Sequence, residues 1–210
     1  MSAAVTEYFL AALTTLMVTV DPPGLAPIFL SLTVGLTPAE RRNVAVRATL
    51  IAGAIMLGFA FFGQPVLGAL GIGFPAFRIA GGLLLFWIAF EMIFELRGRR
   101  KNNVARTAID EDHIRNIAAF PLAIPLMAGP GTITATMLIA GSAAGDGMKL
   151  GALVAVIALV SISCLLVFLI ADRLSKLLGV TGNLVLTRLL GVILAALAVQ
   201  FVIDGIKAVR

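Results

Sequence analysis

Charge is scarce in this chain. Only 13% of its 210 residues are Asp, Glu, Lys or Arg, against about a quarter in an ordinary soluble domain, and that is too little to cover a water-facing surface. His, Cys, Trp and Tyr occur once each. With Cys164 alone and inside an apolar run, no disulfide forms within the chain, and buried packing is the simplest role for that thiol. One His and one Cys also leave too few groups to assemble a nucleophile with its base, or a metal with clustered ligands. The Gly-rich phosphate loop with its trailing Lys and Ser/Thr is missing, which excludes a nucleotide motor of the chain's own. No basic residue precedes the first apolar stretch, which argues against a cleaved signal peptide.

What the chain has is apolar sequence: 60% of residues, with a mean hydropathy of +1.06. It therefore reads as an integral membrane protein. Six apolar runs of spanning length lie roughly at 8–32, 46–70, 77–96, 117–140, 150–170 and 186–206. The longest loop-like stretch is the connector from Arg97 to about Asn116, which has the composition of a solvated hinge. Its Asp110, Glu111, Asp112 and His113 have metal-ligand chemistry, but an acidic run with one His is far more often a solvated loop, and no metal is assigned. Lys and Arg in alternate loops sum to 12 on one face and 4 on the other. The richer face is cytoplasmic by the positive-inside rule, which places both termini outside. The excess of 16 basic over 11 acidic residues is thus read as an orientation signal, with the bilayer and not nucleic acid as partner.

The second half of the sequence echoes the first. Pro23-Gly24 falls on Pro130-Gly131 at an offset of 107, Leu70-Gly71-Ile72 on Leu178-Gly179-Val180 at 108, and Arg78-Ile79-Ala80-Gly81 on Arg188-Leu189-Leu190-Gly191 at 110. Three landmarks in order indicate a duplication of three spans, covering 5–96 and 117–207 on either side of a cytoplasmic connector at 97–116. An odd number of crossings inverts the second copy. The expected fold is an all-α membrane domain of six helices in two inverted repeats, an arrangement in which secondary transporters place their substrate where the copies meet.

Two breaks stand out inside these spans. Proline removes a backbone donor and clashes with the preceding turn, and glycine loosens the chain further. Asp21-Pro22-Pro23-Gly24 and Gly129-Pro130-Gly131 therefore interrupt helices 1 and 4, each about halfway along its run. Non-helical backbone at that depth must be buried in protein or face a watery cavity. Half-helix ends offer free amides to an anion and free carbonyls to a cation, an arrangement suited to a small zwitterionic solute. The candidate binding residues are Asp21, Pro23, Gly24, Gly129, Pro130, Gly131, Thr132 and Thr134, with Thr19 and Thr136 nearby.

At these residues the chain resembles the MarC family, also called UPF0056 or the neutral amino acid transporter family. The stretch Asp21-Pro22-Pro23-Gly24-Leu25-Ala26-Pro27-Ile28-Phe29-Leu30 is similar to its first signature, and Phe120-Pro121-Leu122-Ala123-Ile124-Pro125-Leu126-Met127-Ala128-Gly129-Pro130-Gly131-Thr132-Ile133 to its second. Arg188-Leu189-Leu190-Gly191, Gln200 and Asp204-Gly205-Ile206 resemble its last helix. The resemblance implies a six-span bacterial inner-membrane protein grouped with the lysine-exporter superfamily. It further implies transport of small neutral amino acids such as glycine or alanine. No cofactor is implied, coupling to H+ or Na+ is open, and a homodimer is a candidate assembly.

Ionisable residues inside spans are costly and need a reason. Asp21 has two competing readings: a partner for a substrate ammonium or coupling cation, and a cap on the helix that follows. Glu91 is the acid best placed to carry a proton. Arg78 and Arg188 occupy equivalent repeat positions and either anchor a carboxylate or, more simply, reach the interface. Together with Gln200 they are the coupling or gating candidates. Trp87 reads as a packed core aromatic. Ala54, Gly58, Gly81, Gly82 and Ala89 read as points of close helix contact. The leading functional expectation is a secondary transporter and not an enzyme; the alternative is a membrane-embedded enzyme or carrier acting on a lipid or other non-amino-acid solute.

Overall fold

A computed structural model of the chain describes residues 3–98, 100–101, 117–143 and 145–209, without the side chains of residues 178 and 180. Asp110, Glu111, Asp112 and His113 lie outside the described residues. The elements are α1 (Ala3–Val20), α2 (Pro22–Leu32), α3 (Pro38–Ala69), α4 (Phe74–Ile93), α5 (Ala118–Met127), α6 (Pro130–Ser142), α7 (Gly147–Leu169) and α8 (Ala171–Val209). Among the described residues, five helical stretches are long and apolar enough to cross a membrane, and six if the bent pair α5–α6 counts as one span. This is an all-helical, multi-pass membrane protein.

Local chemistry sets the helix starts. At α3, Thr37 accepts from the Glu40 amide while the Glu40 carboxylate accepts from the Thr37 amide at 2.8 Å, with Pro38 in the first turn, where its missing N–H costs nothing. Asp146 caps α7 by accepting from the amides of Met148 and Lys149.

The two interrupted spans differ. At the first break Asp21 adopts a left-handed conformation (φ 59, ψ 64), which Asp tolerates better than most residues. The ladder resumes at once: the Asp21 amide donates to Met17 and the Leu25 amide donates to Asp21, at 2.9 and 3.2 Å. Pro22 and Pro23 fall in the first turn of α2, so they remove only donors that would be free anyway. α1 and α2 accordingly continue as one 30-residue span. With 18 residues before the break and 11 after it, Asp21 lies past the middle of that span, toward the connector side.

The second break is sharp, with α5 and α6 meeting at 59°. α5 itself is a run of wide π turns with extended residues at Phe120 (φ −135, ψ 126) and Ile124 (φ −127, ψ 122). Each precedes a proline, whose ring clashes with a helical predecessor and pushes it to extended backbone.

Packing runs mainly between the halves. α4 lies along α8, α1 and α2 pack on α7 and α8, and α3 packs on α5, α6 and α7. Glycines permit the closest approaches. A Cβ on Gly82 would stand 2.8 Å from the Ala198 carbonyl, and one on Gly81 would stand 2.7 Å from Thr134 Cγ2. Ala89 is fully buried as well. Ala54 and Gly58 were expected at such contacts but are not part of one: Ala54 is exposed, and nothing surrounds a Cβ on Gly58. Their face of α3 is displaced by a residue or two, so that Ala52, Gly53, Ala60 and Gly63 are among its buried positions. Trp87 is also not in the core. It is 55% exposed and stacks beside Phe90 on the outward face of α4. Lipid accepts an apolar ring as readily as a protein core does, so an apolar run alone does not say which way it turns.

Candidate functional site

Asp21 is buried (3% exposed) at the junction of α1 and α2. One carboxylate oxygen accepts from the Gly24 amide at 3.2 Å, which satisfies a donor of the α2 start. Gly24 makes this possible, because any Cβ there would overlap the Asp21 carboxylate. The other oxygen faces Lys101 Nζ at 3.7 Å, close enough for an ion pair and too long for a hydrogen bond. Of the two readings of Asp21, the cap is thus present, and the second oxygen is left to a cation.

The connector does not begin as solvated chain. Arg97 and Lys101, one helical turn apart, fold back beneath the first break and are 6% and 7% exposed. Arg97 donates to the carbonyl of Thr19, in the last turn of α1, and to Met92 Sδ. Among the described residues its Nε and Lys101 Nζ are buried without a hydrogen-bond partner. A buried carboxylate at a helix break needs opposite charge close by, which is why the connector start is drawn inward. Burial pulls the Lys101 ammonium down, and Arg97 beside it adds to the effect. Asp21 opposes both but does not cancel them, leaving Lys101 at about 7. Burial also lowers Arg97, against the pull of Asp21.

These residues line a cavity of about 470 Å³, walled by the start of α2 (Pro23, Gly24, Pro27), the connector turn and the first part of α8 (Ser175, Asn183, Thr187). α8 bends around it at Gly179, whose backbone (φ 59, ψ −174) is accessible to glycine alone. Glu95, another cavity residue, ends α4 with a left-handed φ of 65 and pairs with Arg188 of α8.

The expected site residues divide. Asp21, Pro23 and Gly24 line the cavity. Gly129, Pro130, Gly131, Thr132 and Thr134 belong to the second break, which packs beside the first without lining this cavity: a Cβ on Gly131 would lie 3.6 Å from Thr19 Cγ2. Thr132 is 3% exposed there, and Thr134 meets Gly81 of α4. Glu91 is buried and pairs with Arg100 at 3.0 Å. Arg188 sits at the cavity through Glu95, whereas Arg78 lies over the Phe74 ring at 4.9 Å with its Nε buried and unpaired. Gln200 donates to Asp204 on an exposed face of α8, away from the cavity. Arg97, Lys101, Glu95 and Asn183 were not anticipated. The four-residue spacing of Arg97 and Lys101, directly after a span, was the available sign that both could point one way.

The two prolines also alter what the first break can offer. Pro22 and Pro23 carry no N–H and the Gly24 amide is taken by Asp21, so the start of α2 presents no free amide among its first three residues. Cationic side chains, and not a helix end, are the anion-attracting groups here.

The chain is 38% identical to a UPF0056 membrane protein of Methanocaldococcus jannaschii over 96% of its own length and 97% of that relative. It is likewise 38% identical to one of Archaeoglobus fulgidus, over 95% and 92%. The UPF0056 membrane protein YhcE of Escherichia coli is 37% identical over 90% and 87%. No solved structure matches the chain. A family model described as MarC family integral membrane protein matches residues 6–209, so the chain belongs to the MarC family.

Proposed function

We propose that the protein is a secondary transporter of small neutral amino acids such as glycine or alanine, and that the cavity at the first helix break is its solute site. The observation carrying this reading is a cavity that reaches an interrupted helix inside the span region and holds buried charges of both signs, Asp21 against Arg97 and Lys101. Buried unbalanced charge is expensive in a membrane protein and is commonly retained at a solute or ion path.

Two inverted repeats rocking about the helix breaks supply the cycle. Gly71 and Gly179, matched in the sequence repeat, both take positive φ (69 and 59). Exchanging the first three spans with the last three maps the main packings onto one another: span 1 on span 5 becomes span 4 on span 2, and span 3 on span 6 maps to itself. With the connector face taken as cytoplasmic, the cavity opens inward, and the protein sits in the inner membrane with both termini outside. Purified protein in proteoliposomes, given labelled alanine or glycine under imposed H+ and Na+ gradients, tests the reading. Saturable uptake is expected. If no small amino acid moves and none protects the protein thermally, the assignment fails.

A further inference from the structure

Counted together with their ion-pair partners, the charged groups at the cavity do not balance: three carboxylates (Asp21, Glu91, Glu95) meet four cations (Arg97, Lys101, Arg100, Arg188). Asp21 faces both Arg97 and Lys101, while Glu91 is matched by Arg100 and Glu95 by Arg188. With Lys101 protonated, this leaves one positive charge in excess among the described residues. The deficit is visible atom by atom: Lys101 Nζ and Arg97 Nε are buried without a hydrogen-bond partner, although both residues line the cavity. Asp21 cannot complete them, because one of its oxygens is held by Gly24 and the other stands 3.7 Å from Nζ. The helix start offers no amide to take over an anion, for the reason given by its two prolines.

We propose that Arg97 and Lys101 are the carboxylate receptor of this cavity, and that an entering carboxylate replaces Asp21 as the partner of Lys101. The proposal rests on the reading that the cavity is the solute site, and adds which group of the solute is seized and by which residues. A carboxylate supplies acceptors where two buried donors lack one, and charged pairs of this kind form the strongest hydrogen bonds. Asp21 is then released to an ammonium on the same solute, with the unpaired Asn183 Oδ1 as a second acceptor on the α8 wall. The charge count assigns the carboxylate the primary role. A plain monocarboxylate neutralises the site, whereas an amine without a carboxylate adds to its excess.

The test uses the full chain in lipid nanodiscs, with thermal protection as the readout and alanine, propionate and alaninamide as probes in a buffer free of other small carboxylates. Alanine and propionate are expected to protect the wild type and Lys101→Arg, and alaninamide is expected not to. In Lys101→Met and Lys101→Gln the half-protecting concentration of both carboxylates is expected to rise about tenfold or more, with a cooperative unliganded melt and wild-type elution as the check on folding. The wild-type contrast between propionate and alaninamide needs no variant to fold. Undiminished alanine binding by folded Lys101→Met, or alaninamide binding as well as alanine, overturns the receptor while leaving the transporter reading intact. Protection by propionate but not alanine supports the receptor and refutes the amino acid as solute. A wild type protected by no carboxylate overturns the receptor outright, and transport assays then judge the function separately.

Discussion

Asp21 performs two tasks that substitution can separate. Its backbone is left-handed and its side chain caps α2, both of which Asn can reproduce, whereas only the ionised carboxylate opposes Lys101 and Arg97. Asp21→Asn is therefore expected to fold with its cap intact but to melt lower than the wild type, because Arg97 and Lys101 lose their counter-charge, and to lose alanine uptake by more than about tenfold, the effect of losing a charge-assisted hydrogen bond of about 1.5–3 kcal/mol. Uptake at the wild-type rate would reduce Asp21 to a cap. Lys101 yields a second prediction. Its ammonium sits at about 7 when buried, below the ordinary 10.5, so between those values the folded protein holds fewer protons than the unfolded chain. Stability contributed by this group then rises with pH across that window, by at most about 1.4 kcal/mol per pH unit. Carboxylate binding falls across the same window as the charge is lost. Asp21 and Arg97 face Lys101 from the first break and its own turn, and Cys164 from α7. Melting of wild type relative to Lys101→Met between about pH 7 and 9 measures the slope; parallel curves would mean Lys101 keeps its ordinary proton affinity.

At the scale of elements, the seam between α4 and α8 is set by glycines. Gly82 approaches the Ala198 carbonyl and Val202, Gly205 approaches the Pro75 carbonyl, and Gly191 approaches Ala89, so backbone meets backbone along the pair. Gly82→Ala is expected to destabilise the protein by about 1–3 kcal/mol through overpacking against atoms that cannot rotate away. Gly58→Ala, whose Cβ would meet nothing, is expected to leave melting unchanged. Equal melting of the two variants would mean the seam is looser than these distances require. The same contrast shows how much the sequence discloses. The spans were legible because a run of apolar residues has no other stable home, and the break at Asp21 because two successive prolines remove backbone donors and mark the start of a new helix. Gly81, Gly82 and Ala89 marked the packed face of α4, but which face of α3 turns inward, and on which side of α4 the large apolar Trp87 sits, was not legible, since lipid and core draw the same side chains and erase the amphipathic signal. Trp87 and Gly58 were misplaced for that reason. Arg97 and Lys101 were hidden differently: their charge marked them as connector, and only the burial of Asp21 on another segment explains why they turn back.

At the scale of the whole molecule, the packing between halves has a consequence for access. α1 and α2, α5 and α6, and the seam of α4 with α8 meet such that the cavity is walled by α2, the connector turn and the early part of α8, with the second break packed beside Thr19. If the halves exchange roles during transport, the α8 wall must close over the cavity while the region around the second break opens to the other face. Thr187 lines the wall without a charge partner to disturb. In a Cys164→Ala background, Thr187→Cys is expected to react with a membrane-impermeant maleimide added from the connector face of oriented vesicles, and not from the opposite face. Saturating alanine is expected to slow that reaction several-fold as the cavity fills and closes. Thr132→Cys, buried at the second break, is expected to be inert in the same state and to gain reactivity from the opposite face once alanine drives the exchange. A Thr187→Cys label equally fast from either face, or unaffected by alanine that demonstrably binds, would describe an open pore or a static cleft, and the rocking of two inverted halves would have to be abandoned.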